Sequence, residues 1–291
     1  MFRYFKTCFT GCMAKNPIKN YNFIKRIGYG ATAEVYEIQH KKDKKSYICK
    51  KFPHSKHELS LREMHVIKRF NDPHLPKFKN YIHLNGVSYL LMEYMPGSDL
   101  FDVFITERKR SYNQEEELHG VAMGIVTCMK AYFRYNVQHL DIKLENLIYT
   151  EEKPAIRIID FGSAHYAYDN NMHSLGCPVG TCGYIAPEIK NRLYHRNTDI
   201  WSFGVCLWIL HTGYNPFRQD SENYDSYGDP RAHQGENKSN PSDDFPNRED
   251  THFLSSMSSN LHDLFLKIFV KDPKKRISLE ELEKHEWMRS F

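Results

Sequence analysis

The stretch His139-Leu140-Asp141-Ile142-Lys143-Leu144-Glu145-Asn146 constrains this chain more than any other, because it sets a carboxylate, an amine and an amide at fixed offsets between apolar runs. An aspartate so placed can accept a proton from an attacking hydroxyl. A lysine two positions on can meet a transferring phosphoryl group, and an asparagine five positions after the aspartate can bind a divalent cation. The arrangement gains its specificity from order. Gly28-x-Gly30, with a lysine downstream, precedes it, and Asp160-Phe161-Gly162 follows a short strand-like run.

Taken together, these segments resemble the eukaryotic protein kinase family, in its serine/threonine branch, whose catalytic loop usually reads HRDxKxxN. The resemblance runs from about Tyr21 to the last residue of the sequence. It implies an α+β, bilobal fold after a tail at 1–20. A small antiparallel sheet with one main helix is expected over about 21–93, then a hinge over about 93–97, then a larger, mostly helical lobe over about 98–291.

Composition narrows the class. A chain of 291 residues with 41% hydrophobic and 26% charged residues can bury a large core and reads as globular. The net charge of +4 is mild and makes no case for nucleic acid or for a membrane surface. Seven scattered cysteines, an odd number, read as reduced thiols rather than a disulfide framework. The expected location is intracellular, in the cytoplasm, with nuclear access left open. No apolar run approaches the roughly 18 residues of a membrane span. Met1 to Cys12 is aromatic and basic without an extended apolar core, so a secretory signal is not expected, and Phe2 excludes an N-terminal myristoyl site. Cys8 and Cys12 leave lipidation or partner binding open beside the default of a loose tail or a strap.

From Tyr21 the chain reads as a strand (Phe23 to Ile27), a tight turn (Gly28 to Ala33) and a returning strand (Val35 to Ile38). The resemblance makes this the nucleotide-covering loop, with Ile27, Gly28, Gly30 and Val35 at the nucleotide and Ala33 in the place of the usual third glycine. The next strand, Ser46 to Phe52, carries Lys50 and Lys51, which strand parity sends to opposite faces. Family spacing assigns Lys50 to the nucleotide phosphates and Ile48 to the adenine. Choosing Lys51 instead would put Cys49 there. Leu59 to Phe70 shows helical spacing with Leu59, Met64, Ile67 and Phe70 on an apolar side. The resemblance makes Glu63 the partner of Lys50, with the approach to this helix trimmed. In the strand Val87 to Met92 and its turn-prone exit it makes Met92 the gatekeeper and Glu93 and Met95 backbone partners of adenine. Asp99 is assigned to the ribose or a basic substrate residue, and Ile148 completes the nucleotide-binding set.

Glu116 to Asn136 has the length and apolar spacing of a helix leading into the central loop. By resemblance Asp141 is the catalytic base, Lys143 contacts phosphate, and Asn146 and Asp160 hold the metal. Leu140 stands where many kinases have an arginine that pairs with a phosphorylated activation segment, so dependence on that phosphate is expected to be reduced. Glu145, with Asp99, hints at a site for basic substrate residues. Gly180-Thr181-Cys182-Gly183-Tyr184-Ile185-Ala186-Pro187-Glu188 resembles the family's closing motif, in which Thr181 supports the catalytic aspartate and lysine. Cys177 occupies the usual phosphosite position, with Ser174 and Thr181 as hydroxyl-bearing alternatives. Asp199 is expected to anchor the catalytic loop, and Glu188 to pair with Arg276. The polar insertion at about 218–256 holds nine acidic and four basic residues from Arg218 through Asp250 and reads as an expanded loop open to docking.

The expected reaction is transfer of the ATP γ-phosphoryl group to serine or threonine hydroxyls of a protein or peptide substrate. Mg²⁺ assists, with Mn²⁺ as a substitute, and no nucleic-acid partner is expected. The alternative is a nucleotide-binding pseudokinase or scaffold docking partners through the C-lobe, which Ala33 and Ile48 keep open. A metabolite kinase is opposed by Thr181 to Glu188 and Asp199 to Gly204, which resemble parts of a protein-substrate platform.

Overall fold

The computed structural model describes residues 17–30, 32–103, 115–150, 155–217 and 257–291, so the tail with Cys8 and Cys12 and the insertion at 218–256 lie outside the described residues. The chain divides into two compact units. One comprises the residues up to His65 with Lys77–Tyr94, the other Val66–Pro76 with Met95–Phe291.

The first unit is built on a five-stranded antiparallel sheet in the order β1-β2-β3-β5-β4. Its strands are β1 (Tyr21–Tyr29), β2 (Glu34–His40), β3 (Ser46–Phe52), β4 (Phe78–Leu84) and β5 (Val87–Glu93). Gly28 and Tyr29 thus belong to β1, and the turn is shorter than the glycine spacing suggests, closed by Gly30 N–H donating to Ala33 O at 3.0 Å. Register fixes which side chains share a face: Gly28 pairs with Val35, Val35 with Lys50, and Ile48 with Met92. All five therefore point one way. The opposite face carries Cys49, packed with Tyr21, Ile38, Ile82 and Leu91 in a buried cluster. Burial pushes the Cys49 thiol up to about 12, so it behaves as a small apolar side chain.

Only Pro53 and the short 3₁₀ turn His54–Lys56 separate β3 from α1 (His57–Ile67), which is the trimmed approach expected from sequence. The buried positions on α1 are not the anticipated Leu59 and Met64, which are half-buried. They are Ser60, Glu63, Val66 and Ile67. The helix gives part of its inward face to polar side chains because it has to deliver Glu63.

In the second unit, α2 (Glu115–Phe133) buries one broad face, and α4 (Thr198–Thr212) is buried from Thr198 to His211. β6 (Ser98–Asp99) precedes α2, and between α2 and α4 lie β7 (Val137–Gln138), β8 (Leu147–Thr150), β9 (Ala155–Ile158), β10 (His165–Tyr166), β11 (His173–Ser174), α3 (Pro187–Lys190) and β12 (Leu193–Tyr194). Among the described residues two further α-helices follow, α5 (Ser259–Ile268) and α6 (Leu279–Lys284), each begun by a serine cap. On α6, Ser278 and Glu281 form a reciprocal capping box. Arg276 is 2% exposed and grips Glu188 with two hydrogen bonds, at 2.8 and 2.9 Å, while Thr198 donates to the same carboxylate. This buried pair ties α3 to the start of α4 and to the segment before α6. Removing either partner would strand a buried charge, at a cost of about 3–5 kcal/mol. Among the described residues no helix is long and apolar enough to cross a membrane, and Cys49, Cys128, Cys177, Cys182 and Cys206 are free thiols.

Candidate active site

The central loop is held from below by a buried carboxylate. Asp199, fully buried at the start of α4, accepts the N–H of His139 at 2.7 Å, the N–H of Leu140 at 2.9 Å and the Tyr132 hydroxyl at 2.9 Å. Burial raises its pKa, while His139, the two amides and the tyrosine pull the other way. This clamp keeps Leu140 in the left-handed region at φ 60°, a conformation unfavourable for a side chain of that shape. The next residue is thereby turned out as Asp141. The ring of His139 reinforces the bend. Its Nδ1 accepts the Asp141 N–H at 3.2 Å, and its Nε2–H donates to Ile159 O at 2.9 Å.

Around Asp141 the expected residues converge. Thr181 Oγ1 donates to Asp141 Oδ1 at 2.6 Å and accepts from Lys143 Nζ at 3.0 Å. Asn146 Nδ2 donates to Asp141 O at 2.8 Å and lies 3.5 Å from Oδ2. One carboxylate oxygen is therefore occupied by Thr181, and among the described residues the other carries only the long contact from Asn146. The closing motif reaches this loop because Gly180 has φ +95° and lacks a Cβ, which would fall 2.6 Å from Leu140 O.

Asp160 is also left-handed, at φ 65°, with Oδ1 accepting the Gly162 N–H at 3.1 Å and Phe161 fully buried behind it. Phe161 meets Phe70 at 4.7 Å and His139 at 4.7 Å between ring centres. Ile159 N–H donates to Asn146 O at 2.9 Å, which ties the segment bearing Asp160 to the end of the catalytic loop. Asn146 and Asp160 offer hard oxygen donors suited to Mg²⁺ or Mn²⁺. Among the described residues no three His, Cys, Asp or Glu side chains gather to hold a metal unaided.

In the first unit, Lys50 Nζ donates to Glu63 Oε1 at 2.6 Å, with both residues buried. Lys51 instead meets Glu34 at 2.9 Å near the surface. Parity and pairing thus separate the two lysines. Ile48 and Met92 flank Lys50 on its face of the sheet, and Ile27 is 45% exposed at a bulge between Arg26 and Gly28. Neither Gly28 nor Gly30 has positive φ, and a Cβ on either would meet neighbours only at 3.5 Å or beyond. Among the described residues nothing crowds a Cβ at either position. Ala33 is 7% exposed and turns its methyl into the unit. The Glu93 N–H donates to Lys77 O at 2.9 Å.

Met95, Asp99 and Ile148 belong to the second unit, and β6 pairs Asp99 with Ile148. That pairing needs Gly97, whose φ is +130° and whose Cβ would fall 2.2 Å from Tyr149 O. Near it, Glu145 is half-buried and its Oε2 has no hydrogen-bond partner among the described residues. Burial raises the pKa of Glu145 and of Asp99, and each is also pushed up by neighbouring acids.

Sequence reasoning found Asp199 but not Tyr132, whose hydroxyl completes the clamp from 67 residues away, nor the part played by the His139 ring. Tyr132 could be read only as a core aromatic. Among the hydroxyl-bearing alternatives to Cys177, Thr181 is engaged with Asp141, and Ser174 is exposed, as is Cys177 itself.

The protein kinase domain model matches residues 21–288. Calcium-dependent protein kinase 5 of Plasmodium falciparum (isolate 3D7) is 32% identical over 237 residues, which is 80% of this chain and 38% of that protein. Myosin light chain kinase A of Dictyostelium discoideum is 29% identical over 280 residues, 94% of this chain and 89% of its own length. Serine/threonine protein kinase OSK3 of Oryza sativa subsp. indica is 29% identical over 280 residues, 94% of this chain and 51% of that protein. The chain thus spans from 38% to 89% of the length of these relatives. Matched over nearly its whole length and carrying the Asp141–Thr181–Lys143 arrangement in place, the chain belongs to the protein kinase domain family.

Proposed function

We propose that this chain transfers the γ-phosphoryl group of ATP to serine or threonine hydroxyls of protein substrates that carry basic residues near the acceptor. The observation that carries the reading is the Asp141 carboxylate, fixed on one oxygen by Thr181 at 2.6 Å and beside Lys143, which shares the same threonine. Asp141 Oδ2 orients the substrate hydroxyl and takes its proton. Lys143 keeps ammonium hydrogens beyond the one given to Thr181 and can neutralise charge on the transferring group. Asn146 and Asp160 would hold the metal, and Lys50, aligned by Glu63, would hold the nucleotide phosphates, with Ile27, Gly28, Gly30, Val35, Ile48, Met92, Met95 and Ile148 around the nucleotide. MgATP supplies the phosphoryl group and a counter-charge for its oxygens when bound.

Asp99 and Glu145 support the basic-residue preference, because a guanidinium or ammonium would relieve the cost of keeping both carboxylates ionised. The scaffold alternative is weakened by Ala33, whose side chain is buried and does not project from the turn. An intracellular setting suits the free thiols Cys177 and Cys182, both exposed. The test is radiolabelled phosphate transfer to a positional peptide library. Incorporation into serine or threonine peptides, strongest with arginine or lysine near the acceptor, is expected. Transfer indifferent to basic residues would remove the specificity assignment, and transfer to metabolites but not peptides would remove the substrate class.

A further inference from the structure

Between Asp160 and the closing motif, the chain has to follow a fixed course for Thr181 to reach Asp141, yet the residue before Asp141 is a buried leucine that cannot grip a phosphate. The contacts of residues 165–175 show what holds this course. Tyr194, 5% exposed on β12, donates its hydroxyl to Tyr166 O at 2.6 Å. Its ring lies 5.6 Å from that of His165 and stacks on that of His173 at 5.1 Å with 29° between planes. Main-chain pairing runs through the same residue. His173 faces Tyr194 and Ser174 faces Leu193 in the β11–β12 ladder, and Leu175 N–H continues it to Arg192 O at 2.8 Å.

The neighbours extend the fastening on both sides. His195, buried beside Tyr194, donates Nε2–H to Asn170 O at 2.9 Å and accepts the Asn197 N–H on Nδ1 at 3.1 Å. His173 Nε2 lies 3.1 Å from Asp169 Oδ1. On the far side, β10 pairs with β7, Ala167 N–H donates to Asn136 O at 2.8 Å, and Arg69 covers the Tyr166 ring at 5.2 Å. Four residues after His195 comes Asp199, the clamp on the catalytic loop. The segment that locks residues 166–175 is therefore continuous with the one that shapes Asp141.

We propose that Tyr194 is the positioning residue of the activation segment, holding it on its substrate-accepting course through the bond to Tyr166 O and the stack on His173, with no phosphate needed. This rests on the kinase reading above and adds to it how the segment is kept in place. Tyr194 is buried, and it acts through the course of the segment that carries Thr181.

The experiment uses phosphatase-treated full chain and the Tyr194→Phe, Tyr194→Ala and Ser174→Ala variants. Three measurements are made on each: kcat and KM for a basic serine peptide, nucleotide affinity, and amide hydrogen exchange across residues 163–180, with Tm as the fold control. Tyr194→Phe keeps the ring but leaves the Tyr166 carbonyl without its buried donor. It should lower kcat/KM for the peptide by roughly fivefold to a hundredfold, the size of one lost buried hydrogen bond. Exchange should quicken across 163–180. Nucleotide affinity should hold, and Tm should move too little to change the folded fraction at the assay temperature. Tyr194→Ala should be worse on both counts, and Ser174→Ala should match wild type. Unchanged exchange and unchanged kcat/KM in Tyr194→Phe would overturn the proposal. So would faster exchange without kinetic loss, or a loss in Ser174→Ala equal to that in Tyr194→Phe. If wild type transfers phosphate to no peptide, the kinase reading fails on that result alone, and the exchange data still decide whether Tyr194 fastens the segment.

Discussion

Asp199 accepts the N–H of Leu140 at 2.9 Å while Leu140 stands at φ 60°. The strained turn that presents Asp141 is thus held by a carboxylate from a helix that begins 57 residues later in the sequence. Asp199→Asn keeps the shape but offers a single acceptor oxygen to three donors. One buried donor is left without a partner, a cost of about 1–3 kcal/mol. Thermal unfolding should show a lower Tm, and peptide phosphorylation should fall by at least tenfold with nucleotide binding less affected. A variant as active and as stable as wild type would mean that the loop keeps its bend without the clamp.

The two adjacent lysines offer a contrast within one strand. Lys50→Met removes the ammonium that Glu63 aligns at 2.6 Å, whereas Lys51→Met removes only a solvent-screened surface pair with Glu34. Folded variants should differ widely in phosphorylation rate, with Lys50→Met severely impaired and Lys51→Met close to wild type. Equal losses would indicate that β3 shifts its register when nucleotide binds.

Activity should survive removal of activation-segment phosphate, because Leu140 is buried and uncharged and the segment is fastened by main-chain and aromatic contacts. Rates before and after phosphatase treatment, with modification followed by mass spectrometry, are expected to agree within about twofold, less than the effect of one hydrogen bond. A large loss recovered on phosphorylation of Ser174 would contradict this.

How far the site could be read from the sequence depended on the range of the contacts. Lys50 was legible because strand parity and one pairing decide it, and the groups around Asp141 because they sit at short, fixed spacings in the motifs. On α1 hydrophobic periodicity placed Ile67 inward correctly but also Leu59 and Met64, which are half-buried because the inward side carries Ser60 and Glu63. Gly97 and Gly180 each combine a positive φ with backbone from another segment within a Cβ's reach, and the second of these no local pattern encodes. Tyr194 was invisible for the same reason: its partners, Tyr166 and His173, lie 28 and 21 residues upstream.

Burial, and more weakly the neighbouring acids, hold the Asp99 and Glu145 carboxyls above the usual carboxylate range. A raised folded-state pKa gives stability that is fully present at low pH and is lost as pH rises through that pKa. At neutral pH both groups are therefore kept ionised at some cost, which a bound cation relieves. As pH falls from neutral into the raised carboxyl range they should take up protons. KM for an arginine-containing peptide should then rise, while KM for a peptide without basic residues stays level. Glu145→Gln should raise KM for the basic peptide at neutral pH and flatten its pH dependence. Parallel profiles for both peptides would remove these acids from substrate recognition.

Asp141→Asn tests the account most directly, because the substitution keeps size and hydrogen bonding but removes the carboxylate that Thr181 fixes at 2.6 Å. Turnover and nucleotide affinity are measured together on folded protein. The prediction is a fall in turnover by roughly 10²-fold or more with nucleotide affinity nearly unchanged. Turnover within about threefold of wild type, too small for the loss of a general base, would contradict the claim that Asp141 carries the transfer.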